Sequence, residues 1–185
     1  MRRTLIIIKP DGINRALIGR IINRFEEKGL KIVGLKMDKL QVYKLKEHYA
    51  HLTNKPFFEE LLGYMSGIPC ILMAIEGKDA VSVVRRLVGE TCGREALPGT
   101  IRGDFSMSTQ TNLVHASEND EVAKYEIARF FKDEELFEYD KMNFNWIYCN
   151  SEKGMYTEIK DKGKSVEELE HARKKQAELD LKNKK

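Results

Sequence analysis

His115 is the side chain in this 185-residue chain best placed to act as a nucleophile. It stands between Leu113-Val114 and Ala116-Ser117, in a short apolar run that leads straight into a helix start. An imidazole there can be partly buried and still face a ligand at the strand's end, although a hydrogen-bonded core histidine has the same signature. His48, His51 and His171 lie among polar neighbours and read as surface or partly packed histidines. The cations form a second group. Lys9 ends an apolar run just before a turn, where strand ends of such sheets meet ligands. Arg85 and Arg86 flank a helical stripe, and Thr91, Arg94, Thr100 and Arg102 fall in a glycine-rich stretch. Guanidinium forks match phosphate oxygens and keep their charge, so two arginines and a lysine brought together would suit a polyphosphate. Apart, they are ordinary surface cations. The chain has no P-loop, dinucleotide glycine fingerprint, HExxH pair or GxSxG elbow. Any phosphate site must therefore be gathered from several elements.

The elements that would gather it follow from periodicity. Residues 4–9 form an unbroken apolar run and predict a buried strand, closed by a turn at Pro10-Asp11-Gly12. Leu17, Ile18, Ile21, Ile22 and Phe25 predict a helix over 14–28, stopped by Gly29. Alternation over 31–40 predicts a strand, half-buried at its far end. Short helices are expected over 42–52 and 56–64, with Pro56 in the first turn of the second. A second buried strand is expected over 69–76, then a helix over 79–88 capped by Asp79 or Lys78. Residues 89–108 hold no period, and an irregular stretch of that length is usually functional. A short strand over 112–116 leads to a helix from Ser117 to about Phe131, and the compact part closes over 145–150. This order predicts an α+β, ferredoxin-like split βαβ sandwich: a four-stranded antiparallel sheet with helices on one face.

Residues 1–150 read as one domain and 151–185 as a charged extension. The extension carries a Ser165-x-x-Glu168 capping box and a Glu/Lys/Ala-rich helical pattern over 166–185. The chain has 32 Lys and Arg against 29 Asp and Glu, a net charge of +3. Ten of those bases and eight of the acids lie in 151–185, which leaves 22 against 21 in the domain. That balance argues against a nucleic-acid partner. The strands also lack the exposed aromatics an RNA-binding sheet would need. No apolar run is long enough to span a bilayer or to form a signal peptide. Three scattered cysteines, Cys70, Cys92 and Cys149, suit a reducing compartment, so a cytoplasmic location is expected.

Several segments, taken in order, resemble nucleoside diphosphate kinase. They are Ile8-Lys9-Pro10-Asp11-Gly12, Lys55-Pro56-Phe57-Phe58, Gly89-Glu90-Thr91, Leu97-Pro98-Gly99-Thr100-Ile101-Arg102-Gly103-Asp104-Phe105, Asn112-Leu113-Val114-His115-Ala116-Ser117 and Asn145-Trp146-Ile147-Tyr148. The resemblance implies ping-pong transfer of a γ-phosphoryl group between nucleoside di- and triphosphates, such as ATP and GDP, through a phosphohistidine at His115 with Mg²⁺. It further implies Glu126 as acceptor for the other imidazole nitrogen, with Ser117 beside it. By the residues alone, Glu126 reads rather as a solvated helix carboxylate. Lys9 and Asn112 would meet the ribose, and Arg85, Thr91 and Arg102 the phosphates. Tyr49 would lie beside the nucleophile, and Phe57 would stack on the base with Thr109 opposite. Arg86 takes no role. A homo-oligomer is implied, a hexamer ahead of a tetramer, with neither nucleic acid nor membrane as partner.

Three positions depart from the resemblance. Glu118 stands where a shorter Asp is frequent, and would approach Mg²⁺ through water. Ala116 replaces a frequent Gly and would disfavour a positive φ there. The extension has no counterpart in short relatives.

Overall fold

Two of the four strands are buried along almost their whole length. β1 (Arg2–Ile8) is buried from Thr4 onward, and β3 (Cys70–Gly77) at all eight positions. Successive side chains of a strand point to opposite faces, so such strands need cover on both. Leu5, Ile7, Leu72 and Ala74 enter one core with α3 (Val42–His48), α4 (Phe58–Gly67) and α7 (Asp120–Phe130). Ile6, Ile8, Met73 and Ile75 enter another with α2 (Ile18–Glu27), α5 (Ala80–Val88) and α6 (Ile101–Phe105). Helices thus cover both faces of the sheet, not the single face expected. An apolar run without alternation leaves no face for water.

This computed structural model describes residues 1–141, 143–149 and 151–152. The extension's predicted helix, its Ser165 capping box and His171 lie outside them. The sheet has the order β2-β3-β1-β4, with β2 (Lys31–Asp38) and β4 (Val114–Ala116) at its edges, and every pairing is antiparallel. That is the ferredoxin-like α+β arrangement. The chain divides into two units, Arg2–Lys141 on one hand and Met142–Lys185 with Met1 on the other. The described part of the second holds α8 (Phe144–Ile147), whose Trp146 is exposed.

Several boundaries differ from those expected, each for a local reason. Pro10-Asp11-Gly12 opens a short helix, α1 (Pro10–Asn14), instead of a simple turn, with Pro in the first turn where its missing N–H costs nothing. Ala16 adopts a φ of 53° and splits the expected 14–28 helix, so α2 starts only at Ile18. Pro56 lies in a turn ahead of α4. The period-free stretch contains α6, which is too short to show a period. Helix α7 starts at Asp120 and not at Ser117, because Asn119 takes the cap: its side chain accepts from the N–H groups of Glu121 and Val122.

Candidate active site

β4 lies against β1 with His115 opposite Ile7, so the imidazole leaves the sheet on the face covered by α3, α4 and α7. There its Nε2 meets both carboxylate oxygens of Glu126, at 3.1 and 3.2 Å. The Ser117 hydroxyl donates to Glu126 Oε2 at 2.6 Å and accepts from the Leu5 amide at 3.1 Å. Glu126 is therefore buried, not solvated. Burial alone would raise its carboxyl, but the hydrogen bonds from His115 and Ser117 outweigh this and hold it below its ordinary value. A carboxylate only accepts, so Nε2 is the nitrogen that carries a proton, and in the neutral tautomer this leaves the lone pair on Nδ1. The arrangement orients a half-buried imidazole, and an imidazole nitrogen with a lone pair is chemically able to attack an electrophile.

His48 belongs to the same cluster, which corrects its reading as a surface or partly packed residue. Its side chain is fully buried, and its ring packs edge-on against His115 with centroids 4.5 Å apart. Burial, then the neighbouring His115 and Arg129, pushes its pKa down to about 2, so the ring is neutral. Its Nδ1 lies 3.5 Å from Glu126 Oε1 without meeting hydrogen-bond geometry. The available signal was Leu45 and His48 on one turn of α3. The ring's burial, however, depends on Phe130, 5.2 Å away on α7, a contact no local pattern encodes. Tyr49 is also buried, 6.2 Å from His115 between centroids, and its hydroxyl has no partner among the described residues. Burial raises the phenol far above its ordinary range, so it remains a donor. His51 is exposed, as read.

The cations meet around Asn112. Lys9 Nζ donates to Asn112 Oδ1 at 2.7 Å, and Asn112 Nδ2 donates to the carbonyls of Thr91 and Thr109, both at 2.8 Å. Burial first, then the Arg102 guanidinium, pushes the Lys9 pKa down to about 8. Arg102 donates to the carbonyls of Asn112, Gly89 and Val114 at 3.2, 2.9 and 2.7 Å. Burial and the repulsion of Arg85 push its pKa down to about 10, which still leaves it charged at neutral pH. Arg85 and Glu118, both exposed, line an open cavity of about 490 Å³ together with Arg86 and Asp120. Gly103, beside Arg102, is required by close approach: a Cβ there would lie 2.1 Å from the Leu97 carbonyl oxygen. Arg94 and Thr100 serve the loop itself, donating to the carbonyls of Met107 and Leu97.

A family model described as nucleoside diphosphate kinase matches residues 2–136. The chain belongs to the nucleoside diphosphate kinase family. A nucleoside diphosphate kinase of Parabacteroides distasonis is 53% identical over 152 residues, 82% of this chain and 99% of its own length. One from Archaeoglobus fulgidus is 47% identical over 148 residues, 80% of this chain and 98% of its own. Among solved structures, a halophilic nucleoside diphosphate kinase from Halobacterium salinarum in complex with CDP superposes with a TM-score of 0.78 at 43% identity. The match covers 80% of this chain and 99% of that one. The chain is accordingly an enzyme of the transferase class with nucleoside diphosphate kinase function.

Within this nucleoside diphosphate kinase the remaining sequence-read residues sit as follows. Phe57 is 40% exposed just before α4 and makes no ring contact among the described residues. Thr91 and Thr109 are exposed and join the cluster through their carbonyls. Ala116 has no positive φ, so the missing glycine costs nothing there; the left-handed residue is Leu113. Asp11 and Tyr64 hold that residue and had no role in the sequence reading. Among the described residues, His48, His115 and Glu126 bring possible metal-ligand atoms within 4.8 Å of one another, a donor set that suits zinc. The Glu126 oxygens, however, already accept from His115 and Ser117. A hard cation such as Mg²⁺ takes oxygen donors, mostly substrate phosphates with one or two carboxylates. Glu118, exposed beside Arg85, offers such an oxygen, whereas the Asp120 carboxylate is paired with Arg2.

Proposed function

We propose that this nucleoside diphosphate kinase works by a ping-pong route through a phosphohistidine at His115. The observation that carries the reading is the His115–Glu126–Ser117 chain, which fixes the proton on Nε2 and leaves Nδ1 free to attack. In the first half-reaction Nδ1 bonds to the γ-phosphorus of a nucleoside triphosphate. The bond from that phosphorus to the β,γ-bridging oxygen breaks, and the diphosphate leaves with the electron pair. In the second, a β-phosphate oxygen of another diphosphate attacks the phosphoryl group, and the N–P electron pair returns to Nδ1. Glu126 stabilises the positive charge the ring gains on phosphorylation, in the role an acid plays behind a catalytic histidine.

Lys9 and Asn112 bind the ribose region, with Lys9 also close to the phosphoryl group. Arg85, Arg102 and Thr91 hold the phosphates, and the buried Tyr49 hydroxyl donates toward the phosphoryl group. Phe57 offers the base a face that reads little of its identity, with Thr109 opposite. Mg²⁺, when bound on the phosphates, neutralises their charge, and Glu118 would hold it through water. The reading extends to a cytoplasmic homo-oligomer, a hexamer before a tetramer, with residues 1–150 catalytic and 151–185 an appendage.

Incubation with ATP and GDP should yield GTP and ADP. ATP alone should leave an acid-labile, alkali-stable phosphate on the chain, absent from His115→Ala. Full activity in His115→Ala would overturn the mechanism.

A further inference from the structure

Leu113 has a φ of 71°, a left-handed conformation that a leucine avoids, and its side chain is fully buried. It lies directly after Asn112 and two residues before His115, so its backbone sets the direction of both. Both of its own polar groups are held by the Lys9–Asn14 segment. Its N–H donates to Asp11 Oδ2 at 3.0 Å, and its carbonyl accepts from the Lys9 amide at 2.8 Å. The carbonyls on either side of it, those of Asn112 and Val114, accept from Arg102. The other oxygen of Asp11, Oδ1, accepts from the Tyr64 hydroxyl on α4. Burial, then the hydrogen bond to Asp11, raises the Tyr64 phenol, so it stays a donor across the working pH range.

We propose that Asp11, braced by Tyr64, is a positioning residue: it locks Leu113 in its left-handed conformation and so aims Asn112 and His115 at one substrate. A residue held in a sparsely populated backbone region persists only where its surroundings over-determine it. The Asp11 carboxylate is the side chain that takes the Leu113 N–H, and without it a polar group in a buried loop loses its acceptor. Relaxation of Leu113 would turn the Asn112 side chain away from Lys9, shift the carbonyls that hold Arg102 and move His115 relative to both. Asp11 touches no reacting atom and acts through the loop alone. The inference rests on His115 being the nucleophile, and its test separates the two.

The test uses the full chain and its Asp11→Ala, Asp11→Asn and Tyr64→Phe variants. Single-turnover phosphorylation by Mg·ATP is measured with the hydrogen-exchange rate of the Leu113 amide. Asp11→Ala should slow phosphorylation about 10²-fold, as small misplacements of reacting groups do. Its Leu113 amide should exchange faster while the remaining strand amides stay protected. Asp11→Asn should recover most of the rate, because an amide oxygen can still accept from Leu113 while its NH₂ donates to the Tyr64 oxygen. Tyr64→Phe keeps the acceptor but loses the brace, and should fall between wild type and Asp11→Ala. A wild-type rate in Asp11→Ala, or an unchanged Leu113 amide, overturns the proposal. So does equal loss in the Ala and Asn variants. If Asp11→Ala does not fold, the Asn and Phe variants decide by the same two readouts. If wild type forms no phosphohistidine, the nucleophile reading fails and Leu113 exchange alone judges the clamp.

Discussion

Lys9 carries a charge that its surroundings oppose, because burial and Arg102 push its pKa down to about 8 while an unfolded lysine titrates near 10.4. Between those values the unfolded chain binds more protons than the folded one, so stability should rise with pH across that window. A bound polyphosphate favours the charged form. Nucleotide binding at pH 9 should therefore take up protons, since Lys9 is largely neutral there in the free enzyme. Calorimetry in two buffers of different ionisation enthalpy measures this, and the uptake should vanish in Lys9→Met. Glu126 has the opposite sign. Its hydrogen bonds hold its pKa below the ordinary value, so its contribution to stability is present above the unfolded carboxylate pKa and is lost as pH falls through the folded one. Glu126→Gln removes the charge but keeps the shape. It should slow phosphorylation about 10²-fold, the scale of a lost proton-positioning group, with a much smaller effect on KM. An unchanged rate would show that the Nε2 proton needs no carboxylate.

At the scale of elements, the sheet is the frame and the helix ends are the adjustments. Leu72 on β3 is fully buried in the core shared with α3, α4 and α7, so Leu72→Ala should cost about 2–5 kcal/mol in denaturant unfolding. Asn119 caps α7, the helix that carries Glu126 to His115. Asn119→Ala should cost about 0.5–2 kcal/mol and, by fraying that start, lower the phosphorylation rate while leaving KM nearly unchanged. The sheet was legible because β1 and β3 are continuous apolar runs and β2 alternates, so each strand's burial is written residue by residue. The adjustments were not. Helix α6 spans five residues between Thr100 and Ser106, shorter than any period can reveal. Ser117 was expected to start α7, yet its hydroxyl is taken by Glu126 and Leu5 and the helix start falls to Asn119. Leu113 has a positive φ that leucine avoids, closed locally by the Val114 N–H to Asn112 carbonyl bond and held from elsewhere in the chain by Asp11.

For the whole molecule, the same contrast separates motif residues from the contacts that complete them. Lys9, Arg102, Asn112 and His115 stood out in sequence because their segments are distinctive, and the fold gathers them across about a hundred residues. His48 and Tyr64 did not, and Asp11, though in the same segment as Lys9, showed no role, because their partners lie on other elements: Phe130, Asp11 and Leu113 respectively. The balance of charge sharpens what to expect of residues 151–185. They contribute ten bases and eight acids, while residues 1–150 are nearly neutral. The cations of the candidate site all lie in the Arg2–Lys141 unit. The Parabacteroides distasonis relative matches over 99% of its own length while using 82% of this chain, so a kinase of this family is complete without such an extension. Deleting residues 151–185 should therefore leave kcat, KM for ATP and GDP, and phosphohistidine formation within about twofold of the full chain, as substitutions remote from a site usually do. Light scattering after gel filtration should give the same multiple of chain mass for both forms, the full chain being 21.4 kDa. Loss of activity with an unchanged assembly would assign the extension to catalysis, and smaller assemblies with retained phosphorylation would assign it to subunit contacts.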